Sequence, residues 1–170
     1  IKNKAMIVER IYAEEVAQLK VDLLADLKKH LRITSSDFDD SLALLLSAAI
    51  DIAEKETGCI FLPSAITLKD KTVIDTAGYY PAFEATSILI DGVEGDIDEV
   101  QISGGRVFAQ ADEGAKIEVT FDAGYITIPD PVKAAVFLIA SALFNNPADR
   151  VEALPKASTN LLKSFRRWQR

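Results

Sequence analysis

The feature that most constrains this chain is a change of period. From Ile66 to Tyr125 apolar and polar residues alternate, whereas on either side apolar residues recur at helical spacing. The stretch "AKIEVTFD" is the clearest case. Ile117, Val119 and Phe121 fall on one side of an extended chain, and Lys116, Glu118, Thr120 and Asp122 on the other. "TSILIDG", "DEVQIS" and "RVFAQ" are shorter runs of the same kind. The turns between them carry Asp91-Gly92, Gly104-Gly105 and Glu113-Gly114, pairs that supply the positive φ of tight hairpins. An antiparallel sheet of four or five short strands is expected over about 64–125.

The flanks read as helices. Leu24, Leu27 and Leu31 share one face of a short helix from Asp22 to Leu31, with Asp22 as N-cap and Lys28, Lys29 and His30 in the last turn. Ser36 followed by Asp39 resembles a capping box opening a second helix. Leu42, Leu45, Leu46, Ala49 and Ala53 line its inner face, and Gly58 closes it. After the β region, Asp130-Pro131 opens a third helix that is apolar almost all round and so is expected at the centre of a bundle. "PKASTNLLKSFRRWQR" reads as a last amphipathic helix. The fold class expected is therefore α+β: a bundle of about four helices with an antiparallel sheet inserted between the second and third. The segment Met6 to Gln18 is ambiguous: "MIVERIY" fits a strand and "AEEVAQLK" fits a helix start.

These elements divide the chain as follows. Residues 1–5 look like a vector remnant before a start at Met6. Residues 6–20 form an N-terminal extension, 21–147 the main domain with its β insert, and 148–170 a basic C-terminal helix or arm. The length of 170 residues suits one domain with a real core. No apolar run reaches the roughly 18–20 residues that span a bilayer; the longest is "AAVFLIASALF", Ala134 to Phe144. No basic stretch leading into an apolar run marks a secretory signal. Cys59 is the only cysteine, which excludes an internal disulfide and any multi-cysteine zinc site and favours a reducing compartment.

Charge is unevenly placed. From Arg150 to Arg170 there are six basic residues and one acid, a local charge of +5; against a total of −7 this leaves −12 for the rest. An acidic body does not attract nucleic acid, so the basic tail is read as having a separate task. Within it, "LLKSFRRWQR" combines Trp, Phe, two Leu and four cations, and Trp and Arg are favoured interface anchors.

Catalytic readings find little to build on. His30, the only histidine, sits among lysines at a helix end, where capping or packing explains it. Asp37, Asp39 and Asp40 miss the calcium-loop pattern, and acids are expected in a first helical turn without any metal. Asp91 to Glu99 is dense in acids but lies between two strand patterns, as a solvated hairpin loop does. No phosphate-binding glycine loop and no nucleophile elbow occurs. No catalytic residue, metal ligand or cofactor is therefore assigned. Two other classes stay open: a small enzyme using Asp37, Asp39 or Asp96 with a divalent cation, and a nucleic-acid-binding module using the basic tail.

Four segments in order carry a resemblance: "LKKHLRI", the helix end "AAIDIAEKETG", the junction "AGYITIPDPVKAA" and the final "LLKSFRRW". Over about Asp22 to Trp168 the chain resembles the head–tail connector proteins of long-tailed phages, also called adaptor or head-completion proteins. The resemblance implies a non-enzymatic structural protein of the virion neck. Such proteins form a ring, expected to be twelvefold, under the portal at the capsid vertex. The ring extends the DNA channel and offers a surface to the next neck or tail protein. A monomer in isolation, in the host cytoplasm before assembly, is expected, with no membrane partner. The resemblance further implies that the C-terminal segment embraces the portal. Leu161, Leu162, Phe165, Arg166, Arg167 and Trp168 become the portal-docking candidates, on a tail removable without loss of the fold. DNA is expected to pass an acidic wall without specific binding.

Overall fold

The alternating stretch folds as the period requires, but into two sheets rather than one. The structure is a computed structural model, and it describes residues 6–76, 81–146 and 154–166. The described chain contains four α-helices, and its strands form a five-stranded and a three-stranded antiparallel sheet. It divides into two compact units, one built from residues up to Ala13 and Gly58–Ile126, the other from Glu14–Thr57 and Thr127–Arg166.

The β unit contains strands β1 (Met6–Tyr12), β2 (Ser64–Lys71), β3 (Val73–Thr76), β4 (Ala82–Ile90), β5 (Val93–Glu94), β6 (Gln101–Ser103), β7 (Arg106–Gln110) and β8 (Lys116–Ala123). The larger sheet has the order β1-β2-β8-β4-β5 and the smaller the order β3-β7-β6. The ambiguous N-terminal stretch divides: "MIVERIY" is a strand, pairing Arg10 with Ile66 and Tyr12 with Ser64 at the sheet edge, and the residues from Glu15 open a helix. Pairing and not local pattern decides it: "MIVERIY" places Glu9 and Arg10 side by side, which blurs the alternation.

Inward residues of both sheets meet in one cluster. Ile66 and Leu68 of β2, Ile88 of β4, Ile117, Val119 and Phe121 of β8, Ile74 of β3 and Val107 and Ala109 of β7 are all fully buried. Burial on this scale is the main source of the unit's stability, at about 25 cal/mol per Å² of apolar surface. On the opposite face of β2 and β8, Thr67 and Thr120 share a hydrogen bond of 3.0 Å and Lys69 pairs with Glu118 at 2.5 Å.

Two of the three glycine turns close hairpins. Asp91-Gly92 (φ 51° and 82°) joins β4 to β5, and Gly104-Gly105 (φ 57° and 77°) joins β6 to β7. Both have positive φ at the two central residues, the conformation of a type I′ turn. Glu113-Gly114 differs: only Gly114 has positive φ, and the turn leads from β7 in one sheet to β8 in the other. It is a corner between sheets.

The helical unit contains α1 (Glu15–Leu31), α2 (Asp39–Thr57), α3 (Asp130–Asn145) and α4 (Lys156–Leu162). Helix α1 begins well before Asp22, which lies inside it and accepts a hydrogen bond from the side chain of Gln18 at 2.9 Å. Leu23 and Leu27 are its buried leucines, with Val16 in the first turn. The helix ends in a Schellman motif: Arg32 is left-handed at φ 59°, its N–H donates to Lys29 O at 3.1 Å, and Ile33 N–H donates to Lys28 O at 2.9 Å.

Helix α2 buries Leu42, Leu46, Ala49, Ile50 and Ala53, and Gly58 follows it at φ 70°. Helix α3 buries Val132, Ala135, Val136, Phe137, Ile139 and Ala140 and packs against the other three helices, the central place its composition predicts. Its first residue is Asp130 and Pro129 is the cap, one position earlier than the expected boundary.

Candidate functional site

The candidate site is the C-terminal segment, because it joins dense basic charge to large apolar side chains. Pro155 starts α4: its carbonyl accepts Thr159 N–H at 3.1 Å and the buried Ser158 hydroxyl at 2.7 Å. These bonds occupy the helix start without a side-chain cap. A single 3-10 turn, Lys163–Phe165, continues the segment. Seven α-helical residues are too few to be stable alone in water, so α4 depends on the face it packs against α3 and α2.

The six candidate residues separate by environment. Leu162 is 1% exposed and belongs to the core of the helical unit. Leu161 and Phe165 are half-buried. Arg166 reaches back to the last turn of α2, where its Nη2 donates to Glu56 Oε2 at 2.8 Å. Its Nε is buried and has no hydrogen-bond partner among the described residues. Arg167 and Trp168 lie outside the described residues. Within these residues, α4 is a packed part of the bundle, and Glu56 is a neighbour that no sequence pattern announces, since it stands 110 positions from Arg166.

The other groups singled out in the sequence are engaged locally. His30 is exposed on the last turn of α1 with its ring 5.8 Å from that of Phe137. Asp39 pairs with Lys28 at 2.5 Å, tying the start of α2 to the end of α1, so its carboxylate does not complete a capping box with Ser36. Ser35, the neighbour of the expected cap, donates to Asp37 at 2.6 Å. Asp40 is exposed. Asp96, in the β unit, accepts Asp98 N–H at 3.0 Å and caps a 3-10 turn. Cys59 is buried.

Among the described residues no three His, Cys, Asp or Glu side chains converge as metal ligands. A shallow depression of about 290 Å³ on the β unit is lined by Lys69, Leu89, Asp91, Gly92, Lys116 and Glu118. Lys69 holds Glu118 in an ion pair, and Asp91 is engaged by the backbone, accepting the main-chain N–H of Lys116 at 2.9 Å.

One carboxylate has a lowered pKa. Asp26 on α1 bonds both Lys133 of α3 and Lys29, and these two ammonium groups hold its pKa below the usual carboxylate value. The cluster cross-links two helices. Among the described residues, no helix is long and apolar enough to cross a membrane.

This arrangement of two sheets and four helices has close structural parallels. A chain in the neck of the empty GTA particle, computed with C6 symmetry, superposes with a TM-score of 0.74 at 20% identity, over 96% of this chain and 97% of that one. This protein has the fold of a gene transfer agent neck chain. The neck of the native GTA particle, computed with C12 symmetry, gives a TM-score of 0.74 at 19% identity over 97% of both chains. A chain of the virion of the native gene transfer agent (GTA) particle gives 0.71 at 18% identity, over 86% of this chain and 90% of that one. No family model matches the sequence, and no curated protein matches it. The gene transfer agent neck chain is thus a likeness of fold, in the same direction as the connector motifs.

Proposed function

We propose that this protein is a structural component of a virion neck. It forms a ring that docks on the portal, extends the DNA channel and presents a surface to the next neck or tail protein. The observation that supports the reading best is the fold likeness over 96% and 97% of the two chains to a subunit of a symmetric neck. Twelvefold symmetry is the expected order, in keeping with the C12 symmetry of one neighbour's neck.

The residues proposed to reach the portal are the polar and half-buried ones of the C-terminal segment: Leu161, Phe165 and Arg166, together with Arg167 and Trp168. Leu162 supports them from the core. The body, at −12 apart from the tail, suits the wall of a channel through which DNA slides, because a wall that repels phosphates does not trap it.

Electron microscopy of the protein mixed with purified portal tests this directly. A ring of density on the tail-facing side of the portal is expected, lost when Arg167 and Trp168 are replaced by Glu and Ala. Unchanged binding by that double variant overturns the docking assignment. Absence of any portal complex, with monomer persisting at high concentration, overturns the neck reading.

A further inference from the structure

We infer that the Arg166–Glu56 contact is an autoinhibitory clasp, and that the surface receiving this segment presents a carboxylate to Arg166. The second half of the inference rests on the docking reading above; the first half does not.

The argument starts from the guanidinium. An arginine offers a planar fork of donors that matches a carboxylate through Nε and one Nη together. In the free subunit only half of that capacity is used. Nη2 meets Glu56 Oε2 at 2.8 Å, while Nε is buried without a partner among the described residues. A buried donor left unpaired is unfavourable, so this seat holds Arg166 less well than a two-point contact does. The pair is also half exposed, at 34% and 39% of the two side chains, so solvent weakens it further.

The position of the contact gives it consequence. It lies at the end of α4 and its 3-10 turn, where Leu162 is the last fully buried side chain among the described residues. Glu56 stands in the last turn of α2, which packs against α4. A carboxylate on a partner that meets both Nε and Nη2 satisfies the orphaned donor and displaces Glu56. Docking then competes with the clasp, and the clasp keeps the basic segment off unsuitable acidic surfaces until a better-shaped one arrives.

Glu56→Gln keeps the shape and removes the charge. In the isolated protein, tryptic cleavage after Lys163 reports opening of the segment. It should accelerate about two- to fivefold in E56Q, the range for losing one half-exposed ion pair, with an unchanged melting temperature. Unchanged cleavage overturns the clasp whatever the portal does. Binding of E56Q to purified portal should tighten by a similar factor; weaker binding overturns the competition. Arg166→Lys keeps the charge but not the fork, and should bind portal about tenfold less well. Equal binding by R166K overturns the partner carboxylate. Faster cleavage of E56Q with no portal binding by the wild-type chain refutes the docking reading and leaves the clasp standing.

Discussion

Two residues carry consequences out of proportion to their size. Gly124 follows β8 at φ 106°, and a Cβ placed there comes to 2.6 Å from the carbonyl carbon of Leu62 and 2.8 Å from the nitrogen of Pro63. Both obstacles are backbone, so no side-chain rotation relieves them. Gly124→Ala should destabilise the protein by about 3 kcal/mol or more, combining overpacking with backbone strain, and a thermal melt checks this. A change of under a degree would contradict the packing described. Asp26 is the second. Its carboxylate sits between Lys133 and Lys29, and its folded pKa lies below 3.8, its unperturbed value. A depressed folded pKa gives stability that is fully present above the unfolded pKa and fades as pH falls below it. Asp26→Asn should therefore be less stable than the parent at neutral pH, and the difference should shrink under acid below about pH 4. Urea titrations at neutral and acid pH compare the two.

At the scale of elements, legibility followed the locality of the cause. Helices α2 and α3 were readable because their apolar faces lie within the segment itself: Leu42, Leu46, Ala49 and Ala53 are all buried, and so are Val132, Val136 and Ile139. Strand β8 was readable for the same reason. The start of α1 was not, since Asp22 looks like a cap and only packing tells that Val16 is buried a turn and a half earlier. The division into two sheets was not readable either, because which strand pairs with which is a matter of distant contacts such as Val73 with Gln110. The candidate segment shows both cases. Its basic and apolar composition was visible, but the burial of Leu162 and the seat of Arg166 on Glu56 depend on the bundle around them. Leu162→Ala should accordingly lower stability by about 2–3 kcal/mol, as loss of a core leucine does, measurable by chemical denaturation. Removal of Asn160 to Arg170 takes the same side chain away, so that truncation tests folding and docking at once. Replacing Arg167 and Trp168 alone is the cleaner test of docking.

For the whole molecule, the balance of charge sets how copies meet. With −12 outside the tail, neighbouring bodies repel at low ionic strength, and the repulsion reaches about 10 Å at 0.1 M salt. Self-association of the isolated protein should therefore increase as salt is raised from about 0.05 to 0.5 M, when screening shortens to a few ångströms. Sedimentation velocity would show it, and a fall in association with salt would mean that attraction between the tail and another copy dominates instead. Strand β1 adds a constraint of a different kind, in time. It is complete at Tyr12, but its partner β2 begins only at Ser64, beyond both α1 and α2. During synthesis on a ribosome it emerges as an unpaired sticky ribbon and must wait while two helices are made. Glu9 and Arg10, placed in the middle of its apolar run, are the kind of charges that keep such a ribbon from joining another nascent chain. The same two charges that obscure the strand in the sequence thus serve as its guard until β2 arrives.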